Sequence, residues 1–365
     1  ASKFVKGDAI AGIVILLIAT TVAVLAFFAR RKRAGDLEVS AWRAFVAFAI
    51  VLGIAVSLFI YWGLDYLVRL LPDGLQERIR HITYLLPAAV LLIAVLVYPL
   101  IQTFLYSFMN SSGKEWVGME NYVELITDPT FIDILINNFL WIAIVPAATV
   151  VIGLVVATLT NQVGPTREKI FKSLIFMPMS ISFISAATIW SFMYVNVPPG
   201  RPEIGLLNRI VIAFGGTPQP WMNISDYRLN SFLLMIIIIW LQAGYSMVMI
   251  SSAIKAVPEE TIEAAKIDGA TSAQTFFKVV LPQIRGTVTS VFITVVIMVM
   301  KIFDIVLAMT GGAFTTSVLG YKFYQEYFLN ANVGAASAII TILTIFIIPL
   351  MYIQIRTFRH QEALR

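Results

Sequence analysis

Long apolar runs separated by short polar segments dominate the chain. Eight of them hold about 20 mostly apolar residues, the length that an α-helix needs to cross a bilayer. These predicted spans lie at about residues 8–29, 44–64, 82–106, 138–161, 174–194, 231–250, 287–309 and 334–353. The pattern therefore predicts an all-α, polytopic transmembrane protein. The first run leads directly into RRKR without a small-residue cleavage site, so we interpret it as a span and not as a cleaved signal peptide.

The composition agrees with a membrane protein and excludes several kinds of site. The 365 residues are 59% hydrophobic and 13% charged, with a mean hydropathy of +0.86, whereas soluble domains are about half apolar and a quarter charged. The absence of cysteine rules out disulfides and thiolate metal sites. His81 and His360 lie far apart, so no metal site is predicted. The net charge of +5 does not indicate nucleic-acid binding.

The charges of the loops predict an orientation, because cytoplasmic loops of membrane proteins carry an excess of Lys and Arg. Loop 107–137 has one basic residue against five acidic ones, and loop 310–333 has only one basic residue, so both are predicted to lie outside. Loops 162–173 and 251–286 are basic and are predicted to lie in the cytoplasm. The basic loop 30–43 breaks this alternation, and the orientation of the first two spans therefore stays open.

One cytoplasmic segment, residues 258–282, has the signals of two short helices. Pro258 with two following glutamates suits a helix N-terminus, and Gly269 suits the left-handed residue that ends a helix. Thr271 and Gln274 have the spacing of a capping box that starts a second helix, which runs to Pro282 and bends there. We predict a rigid helix–turn–helix at the cytoplasmic surface. The alternative is an amphipathic connector that lies on lipid headgroups.

The same segment carries a family resemblance. EAAKIDGATSAQTFFKVVLP, at 263–282, resembles the EAA loop of the membrane subunits of bacterial binding-protein-dependent ABC importers. The positions that match the family pattern, together with the aspartate before the glycine, are Glu263, Ala264, Ala265, Asp268, Gly269, Val279, Leu281 and Pro282. Val279 stands where the family more often has Ile. Stretches such as 117–141, 166–178 and 300–314 are similar to the carbohydrate-uptake branch, so the resemblance covers about residues 82–360.

The resemblance implies a function and a set of partners. The chain is expected to be the larger, maltose- or alpha-glucoside-type permease subunit of a sugar importer in the bacterial inner membrane, with a type I core of six helices. Its expected partners are a cytoplasmic ABC ATPase dimer that grips the EAA helix, a second homologous permease, an extracytoplasmic solute-binding protein and a sugar. The sequence has no G-x-x-x-x-G-K-[ST] loop, so ATP and Mg are expected on the ATPase. We predict neither catalytic residues nor a bound cofactor.

The resemblance also suggests how the chain is divided. Residues 1–81 are expected to form an accessory pair of spans with a linker, and residues 82–132 a third span with a short extracytoplasmic segment. Residues 133–355 are expected to form the permease core, including the EAA loop at 255–285. Residues 356–365 are expected to form a cytoplasmic tail.

Polar residues inside the spans are candidates for the translocation path, because a polar group at membrane depth is costly unless it pairs or lines a cavity. In the sixth span, the resemblance to the maltose permease favours Tyr245 first and Gln242 second as sugar contacts. Ser182 and Ser185 share a face of the fifth span and offer hydroxyl groups to a sugar. The alternative role for these serines is helix packing through small residues.

Lys301 and Asp304 lie one helical turn apart in the seventh predicted span. They form either an intrahelical ion pair or a gate in the translocation path. Three other functions are alternatives for the whole chain. The same machinery could carry a compatible solute or polyol. A secondary transporter would require inverted repeats, and an intramembrane enzyme would require paired titratable groups at depth; the sequence shows neither pattern.

Overall fold

Helices form the regular structure of the part of the chain that can be described. The computed structural model describes residues 61–66, 68–198 and 200–362, together with isolated positions between 48 and 59. No β-strand occurs among these residues. The contacts divide the chain into two units, Ala1–Pro99 and Leu100–Arg365, and each is described by itself.

The first unit contains most of one long apolar helix. Helix α1, Asp73–Leu92, leads through a π-helical turn, Ile93–Val97, into α2, Tyr98–Tyr106, which crosses the boundary between the units. The stretch Ile82–Tyr106 is long and apolar enough to span a membrane, which confirms the predicted span at 82–106. The predicted span at 8–29 lies outside the described residues, and 44–64 is described only in part.

The second unit holds the remaining described helices. Their bounds are α3 Glu120–Thr127, α4 Pro129–Thr160, α5 Pro165–Phe176, α6 Phe183–Tyr194, α7 Leu206–Ala213, α8 Leu229–Lys255, α9 Glu259–Ile267, α10 Ser272–Thr275, α11 Leu281–Met300, α12 Asp304–Met309, α13 Leu319–Tyr324 and α14 Val333–Glu362. Among the described residues, five helices are long and apolar enough to cross a membrane, and a bent pair makes a sixth. These six correspond to the six predicted core spans.

The span predicted at 174–194 is not a single straight helix. Helix α5 is followed by a 3-10 turn, Met177–Ser180, and the chain then bends by 102° before α6 begins. Pro178 within the turn removes a backbone donor, and Ser182 supplies an N-cap that starts a new helix. The fifth span is therefore a broken one.

The prediction of one continuous helix over 287–309 is wrong. Helix α11 ends at Met300, and α12 begins again at Asp304. Between them Lys301 has φ −100° and ψ 15°, and Phe303 has φ −147° and ψ −52°, so neither continues an α-helix. Gly320 of α13 lies against this break, since a Cβ on it would come within 2.7 Å of the carbonyl oxygen of Ile302.

Two π-helical turns precede a proline at the same distance. The turn Ile93–Val97 comes before Pro99, and the turn Phe276–Val280 comes before Pro282. A proline inside a helix lacks an N–H group and crowds the carbonyl of the preceding turn, and a wider π turn relieves that contact. The helical stretch consequently runs without a break over Ser272–Met300, past Pro282.

Helix α8 is the central element of the second unit. Of its most apolar 18 residues, 61% are buried, against 33% for α4. Glycines allow neighbouring helices to come close to it. A Cβ on Gly153 of α4 would lie 2.1 Å from Ser246 Oγ, and a Cβ on Gly244 would lie 2.5 Å from the carbonyl oxygen of Ile175. The position of α8 therefore depends on contacts that no larger residue permits.

We expect Gly153→Ala to destabilise the second unit. In an open helix, alanine would be favoured over glycine by roughly 0.5–1 kcal/mol, but here the new methyl group would also meet the backbone nitrogen of Met247 at 2.9 Å. Overpacking of this kind costs about 1–3 kcal/mol. Thermal unfolding of the purified chain in detergent measures the change. Gly74→Ala is the matched control, because this helical glycine has no atom within 4 Å of an added Cβ. Equal stability of both variants would contradict the packing argument.

Candidate coupling helix and translocation cavity

The helix–turn–helix predicted at 258–282 is present. Helix α9 starts after Pro258, and its first turn carries Glu259 and Glu260. Gly269 has φ +81°, and the N–H groups of Gly269 and Ala270 donate to the carbonyls of Lys266 and Ala265 at 3.0 Å. This pair of bonds is a Schellman motif, so the glycine ends the helix as predicted.

The capping box that starts the second helix is also confirmed. The backbone N–H of Thr271 donates to Gln274 Oε1 at 2.8 Å, and the N–H of Gln274 donates to Thr271 Oγ1 at 3.3 Å. Two otherwise unpaired donors are thereby satisfied. The turn between the two helices is consequently held at both ends by hydrogen bonds, and α9 has a defined direction.

Helix α9 presents one face outward and packs with the other. Glu263 and Ala264 are exposed, and Ile267 is 86% exposed, which is unusual for an isoleucine. On the opposite face, Ile262 packs against the apolar cluster of α4, α8 and α11 that includes Met247. The outward face is available to a partner, while the inward face connects α9 to three of the long helices.

A polar network lies at the same end of the bundle, and the sequence reasoning did not identify it. Lys172 Nζ of α5 contacts Glu168 Oε1 at 2.5 Å, Asn161 Oδ1 at 3.2 Å and the hydroxyl of Ser251. Ser251 in turn donates to Asn161 at 2.8 Å, and Lys255 Nζ lies 2.5 Å from Glu168 Oε1. The network joins the ends of α4, α5 and α8. Glu168 and Lys172, four residues apart, were its only local signal.

Three of the candidate path residues line one cavity. Ser182, Gln242 and Asp304 come together around a volume of about 400 Å³. The apolar part of its wall comes from Met179, Ile181, Phe183 and Ile184. The cavity lies where the bend before α6 and the break before α12 face α8. The two irregular segments that the sequence did not predict therefore form the cavity.

Two of the three polar side chains that line this cavity have no hydrogen-bond partner among the described residues. Gln242 is only 9% exposed, and neither Gln242 nor Asp304 has a side-chain hydrogen bond or salt bridge to another described residue. A buried polar group without a partner is costly, so these groups are available to water or a solute. Ser182 Oγ accepts from the Ser185 N–H at 3.2 Å and contacts Ser185 Oγ at 2.9 Å.

The other candidate residues have different surroundings. Tyr245 is half-buried and packs against the apolar cluster around Met247, so it does not line the cavity. Ser185 supports Ser182 and does not line the cavity either. Lys301 is exposed, and no salt bridge joins it to Asp304. The break at Lys301 explains this, because the two residues no longer share a helix. The roles of all these residues in transport stay predictions.

Aromatic rings near the cavity contact each other. Trp190 of α6 and Trp240 of α8 have ring centroids 5.8 Å apart in an edge-to-face arrangement. Trp190 also contacts Tyr194 at a centroid distance of 5.3 Å. These rings fill the space between α6 and α8, which is the packing role that large aromatic side chains usually have.

Hydrogen bonds organise the loop that joins α6 to α8. Buried Asn208 accepts at Oδ1 from the Gln219 N–H at 2.9 Å and from Trp221 Nε1 at 2.7 Å. Glu203 accepts from the N–H groups of Gly205 at 2.9 Å and Ile204 at 3.0 Å. The bond from Gly205 is the main reason that the pKa of Glu203 lies below its usual value. The sequence offered only the asparagine and glutamate in the loop as a signal.

Comparisons with known proteins identify the family of the chain. A family described as "Binding-protein-dependent transport system inner membrane component" matches residues 149–358. The chain is 44% identical to "Alpha-glucoside transport system permease protein AglF" of Rhizobium meliloti (strain 1021), over 79% of this chain and 85% of that protein. It is 43% identical to "Osmoprotective compounds uptake permease protein GgtC" of Synechocystis sp., over 77% of this chain and the whole of that protein.

A solved structure has a similar fold. A chain in the crystal structure of a bacterial ABC transporter involved in the import of the acidic polysaccharide alginate superposes with a TM-score of 0.67. The match covers 78% of this chain and 99% of that chain. The sequence identity is 18%, so the likeness concerns the fold alone.

We expect Lys172→Met to loosen the contact between α5 and α8. The substitution keeps the aliphatic length but removes the ammonium group, which leaves Glu168 with Lys255 alone and Asn161 with Ser251 alone. Hydrogen bonds to a charged group contribute about 1.5–3 kcal/mol each at most. Thermal unfolding should therefore occur at a lower temperature. Lys169→Met on the exposed side of α5 should have little effect, and an equal shift in both variants would contradict a role for the network.

Proposed function

The chain belongs to the family of binding-protein-dependent inner-membrane transport components, and on this premise we propose that it is a sugar permease driven by a separate ATPase. The family consists of transport subunits and not of enzymes. Its members are described as inner-membrane components, and the described apolar helices are long enough to cross a membrane. The proposal concerns the solute, the coupling partner and the residues that serve each.

The geometry of α9 carries the proposal for ATPase coupling. Hydrogen bonds hold both ends of the turn that follows this short helix. The helix exposes Glu263, Ala264 and Ile267. On its other side, Ile262 packs into the apolar cluster of the long helices. An exposed helix with small residues fits a groove on another protein. Glu263 is available there for a charge-assisted hydrogen bond. A cytoplasmic ABC ATPase dimer, with ATP and Mg bound to it, is the proposed partner.

The anchoring of α9 suggests how movement reaches the cavity. Helix α8 ends at Lys255 and leads within four residues to Glu259 at the start of α9, while α11 continues from the second helix of the motif. A force on α9 would therefore act on both α8 and the wall near Asp304. Nucleotide on the ATPase and a loaded solute-binding protein would then bias an equilibrium between inward-open and outward-open states.

The chemistry of the cavity supports a sugar as the solute. An amide from Gln242, a hydroxyl from Ser182 and a carboxylate from Asp304 stand among apolar side chains. Sugars present hydroxyl groups at their edges and C–H groups on their faces, so such a mixed wall suits them. The name of the alpha-glucoside relative, at 44% identity, favours an alpha-glucoside or another oligosaccharide. A second permease subunit is proposed to complete the path.

A compatible solute is the second candidate. The relative named for the uptake of osmoprotective compounds is 43% identical, nearly as similar as the alpha-glucoside relative. Competition for uptake of a labelled disaccharide in cells distinguishes the two. Maltose as the better competitor supports the sugar, whereas inhibition by glycine betaine alone would favour the compatible solute.

We expect Glu263→Lys and Gly269→Pro to abolish uptake while the chain still reaches the membrane. The first reverses the charge on the exposed face of α9, and the second removes an N–H that bonds to Lys266 at a φ that proline cannot adopt. Uptake of labelled sugar and co-elution of an ATPase with the tagged chain measure the effect. Both readouts should fall together, because the proposed defect is in docking.

The chain offers matched controls for these two variants. Glu124→Lys makes the same charge change on exposed helix α3. Gly215→Pro changes a second glycine of positive φ, 82°, whose N–H also bonds a carbonyl three residues back. Neither control should reduce co-elution of the ATPase. Normal uptake by both α9 variants, or co-elution that does not change, would disprove the coupling role.

We expect Gln242→Leu to slow uptake about two- to tenfold and Asp304→Leu about ten- to a hundredfold. These ranges correspond to the loss of one neutral hydrogen bond and of one hydrogen bond to a charged group. Thr294→Val is the control, because this hydroxyl already bonds the carbonyl of Ser290 within its own helix. Initial rates at several sugar concentrations give the result. Unchanged rates in both cavity variants would place the translocation path elsewhere.

A further inference from the structure

A second polar cavity lies at the other end of α4, away from the coupling helix. Its volume is about 360 Å³, within the range of small-molecule sites. Its wall comes from the first three turns of α4, the loop 310–318, α13 and the start of the π-helical turn Gln325–Leu329. It shares no lining residue with the cavity around Gln242. The positive charge of loop 162–173, at the far end of α4, predicts that this cavity opens to the outside.

The wall of this cavity is fixed by buried hydrogen bonds. Asn137, which is fully buried, donates from Nδ2 to the carbonyl oxygens of Thr315 at 2.5 Å and Ser317 at 2.9 Å. Arg228 donates to Asn137 Oδ1 at 2.7 Å and to Asp133 Oδ1 at 2.5 Å. The loop is thereby tied to α4 and to the start of α8. Its shape is set before any ligand binds, which reduces the entropy that binding must overcome.

Several polar groups in the wall have no partner in the described part of the chain. The Tyr321 hydroxyl, the Gln325 amide and the Ser317 hydroxyl line the cavity, and no side-chain hydrogen bond is found for any of them. All three residues are half-buried. The ring of Tyr321 lies close under Gly312, where an added Cβ would be 2.4 Å from it. The cavity therefore combines free donors and acceptors with an aromatic wall.

The charges in the wall are already compensated. Asp133 is paired with Arg228, and Lys322 Nζ lies 2.9 Å from Glu326 Oε1. A strongly charged solute would have to compete with these pairs. A neutral solute with many hydroxyl groups would instead use the free hydroxyls, the amide and the second carboxylate oxygen of Asp133. Its apolar face would find the ring of Tyr321.

We propose that this outer cavity is a separate binding site for a neutral polyhydroxylated solute, one or two sugar rings in size. The site would hold the solute at the outer end of the bundle before it reaches the cavity around Gln242. The inference rests on the proposed function for its orientation and its class of solute. It adds a site that is independent of Gln242, Ser182 and Asp304.

Thiol labelling tests this site directly, because the chain contains no cysteine. Ser317→Cys places one reactive group in the cavity wall, and Gln325→Cys does the same from the π-helical turn after α13. Right-side-out membrane vesicles with the assembled importer are treated with a membrane-impermeant maleimide, without binding protein or nucleotide. Maltose, trehalose and sucrose are the probes. At a concentration about four times its Kd, a bound sugar should slow labelling about fivefold.

Ser111→Cys is the matched control. Ser111 is exposed and lies in the loop that precedes α3, on the side predicted to be outside, but it does not line the cavity. Slower labelling of Ser317→Cys or Gln325→Cys with sugar, and an unchanged rate for Ser111→Cys, is the expected result. The same rates with and without all three sugars would overturn the site and leave the proposed function intact.

Two other outcomes would also overturn the inference. Protection by loaded binding protein alone, and never by free sugar, would mean that the cavity is a protein contact and not a solute site. Labelling of Ser111→Cys only after the vesicles are opened would reverse the orientation, and the proposed function would then fail as well. If the Ser317→Cys chain does not reach the membrane, Gln325→Cys provides the test, because this residue lies on a different element.

Discussion

The close packing of α8 against α4 and α5 is the interaction on which the other features depend. Gly153 and Gly244 allow the backbones to approach so closely that an added methyl group would collide with its neighbours. Because α8 is held in this way, Gln242 in its middle has a defined place in the cavity wall. Ser251 and Lys255 near its end take part in the polar network. One helix thus connects the cavity with the end of the bundle that carries α9.

Departures from regular helix occur where they form cavity walls. Backbone polar groups inside a membrane must be satisfied, so irregular segments are tolerated where protein buries them or a cavity exposes them to water. The bend before Ser182 and the break before Asp304 both meet this condition, since each brings a polar side chain to the same cavity. The π turn before Pro282 has a different cause, because it accommodates a proline and keeps the helix continuous.

Polar side chains stabilise both ends of the bundle, and buried amides are prominent at one of them. At the end that carries α9, lysines and a glutamate join three helices, and the Schellman motif at Gly269 fixes α9. At the other end, buried amides such as Asn137 and Asn138 hold a loop through backbone groups, and the ion pair of Arg228 with Asp133 lies beside them. Amides bond backbone with little charge to desolvate, whereas an ion pair is best placed where water reaches it. Each end therefore has a polar framework that suits its surroundings.

The sequence by itself determined the local features of this protein. Apolar runs of membrane length, the helix end at Gly269 and the capping box at Thr271 depend on neighbouring residues only, and the structure has the helix end, the capping box and the six runs between residues 82 and 353. The EAA spacing and the charge of the loops also follow from the order of the residues alone. Such signals survive without tertiary contacts because hydrogen bonds within a few residues produce them.

Only the tertiary structure decided which polar residues meet. Gln242 and Tyr245 are three residues apart, yet one lines the cavity and the other packs into an apolar cluster. Lys301 and Asp304 do not form an ion pair, because a break in the helix, packed against Gly320, separates them. Contacts between residues that lie far apart in the chain depend on helix packing and on bends, and the periodicity of a single helix contains neither. The sequence thus predicts that the protein spans a membrane, whereas the form of its cavities depends on the tertiary structure.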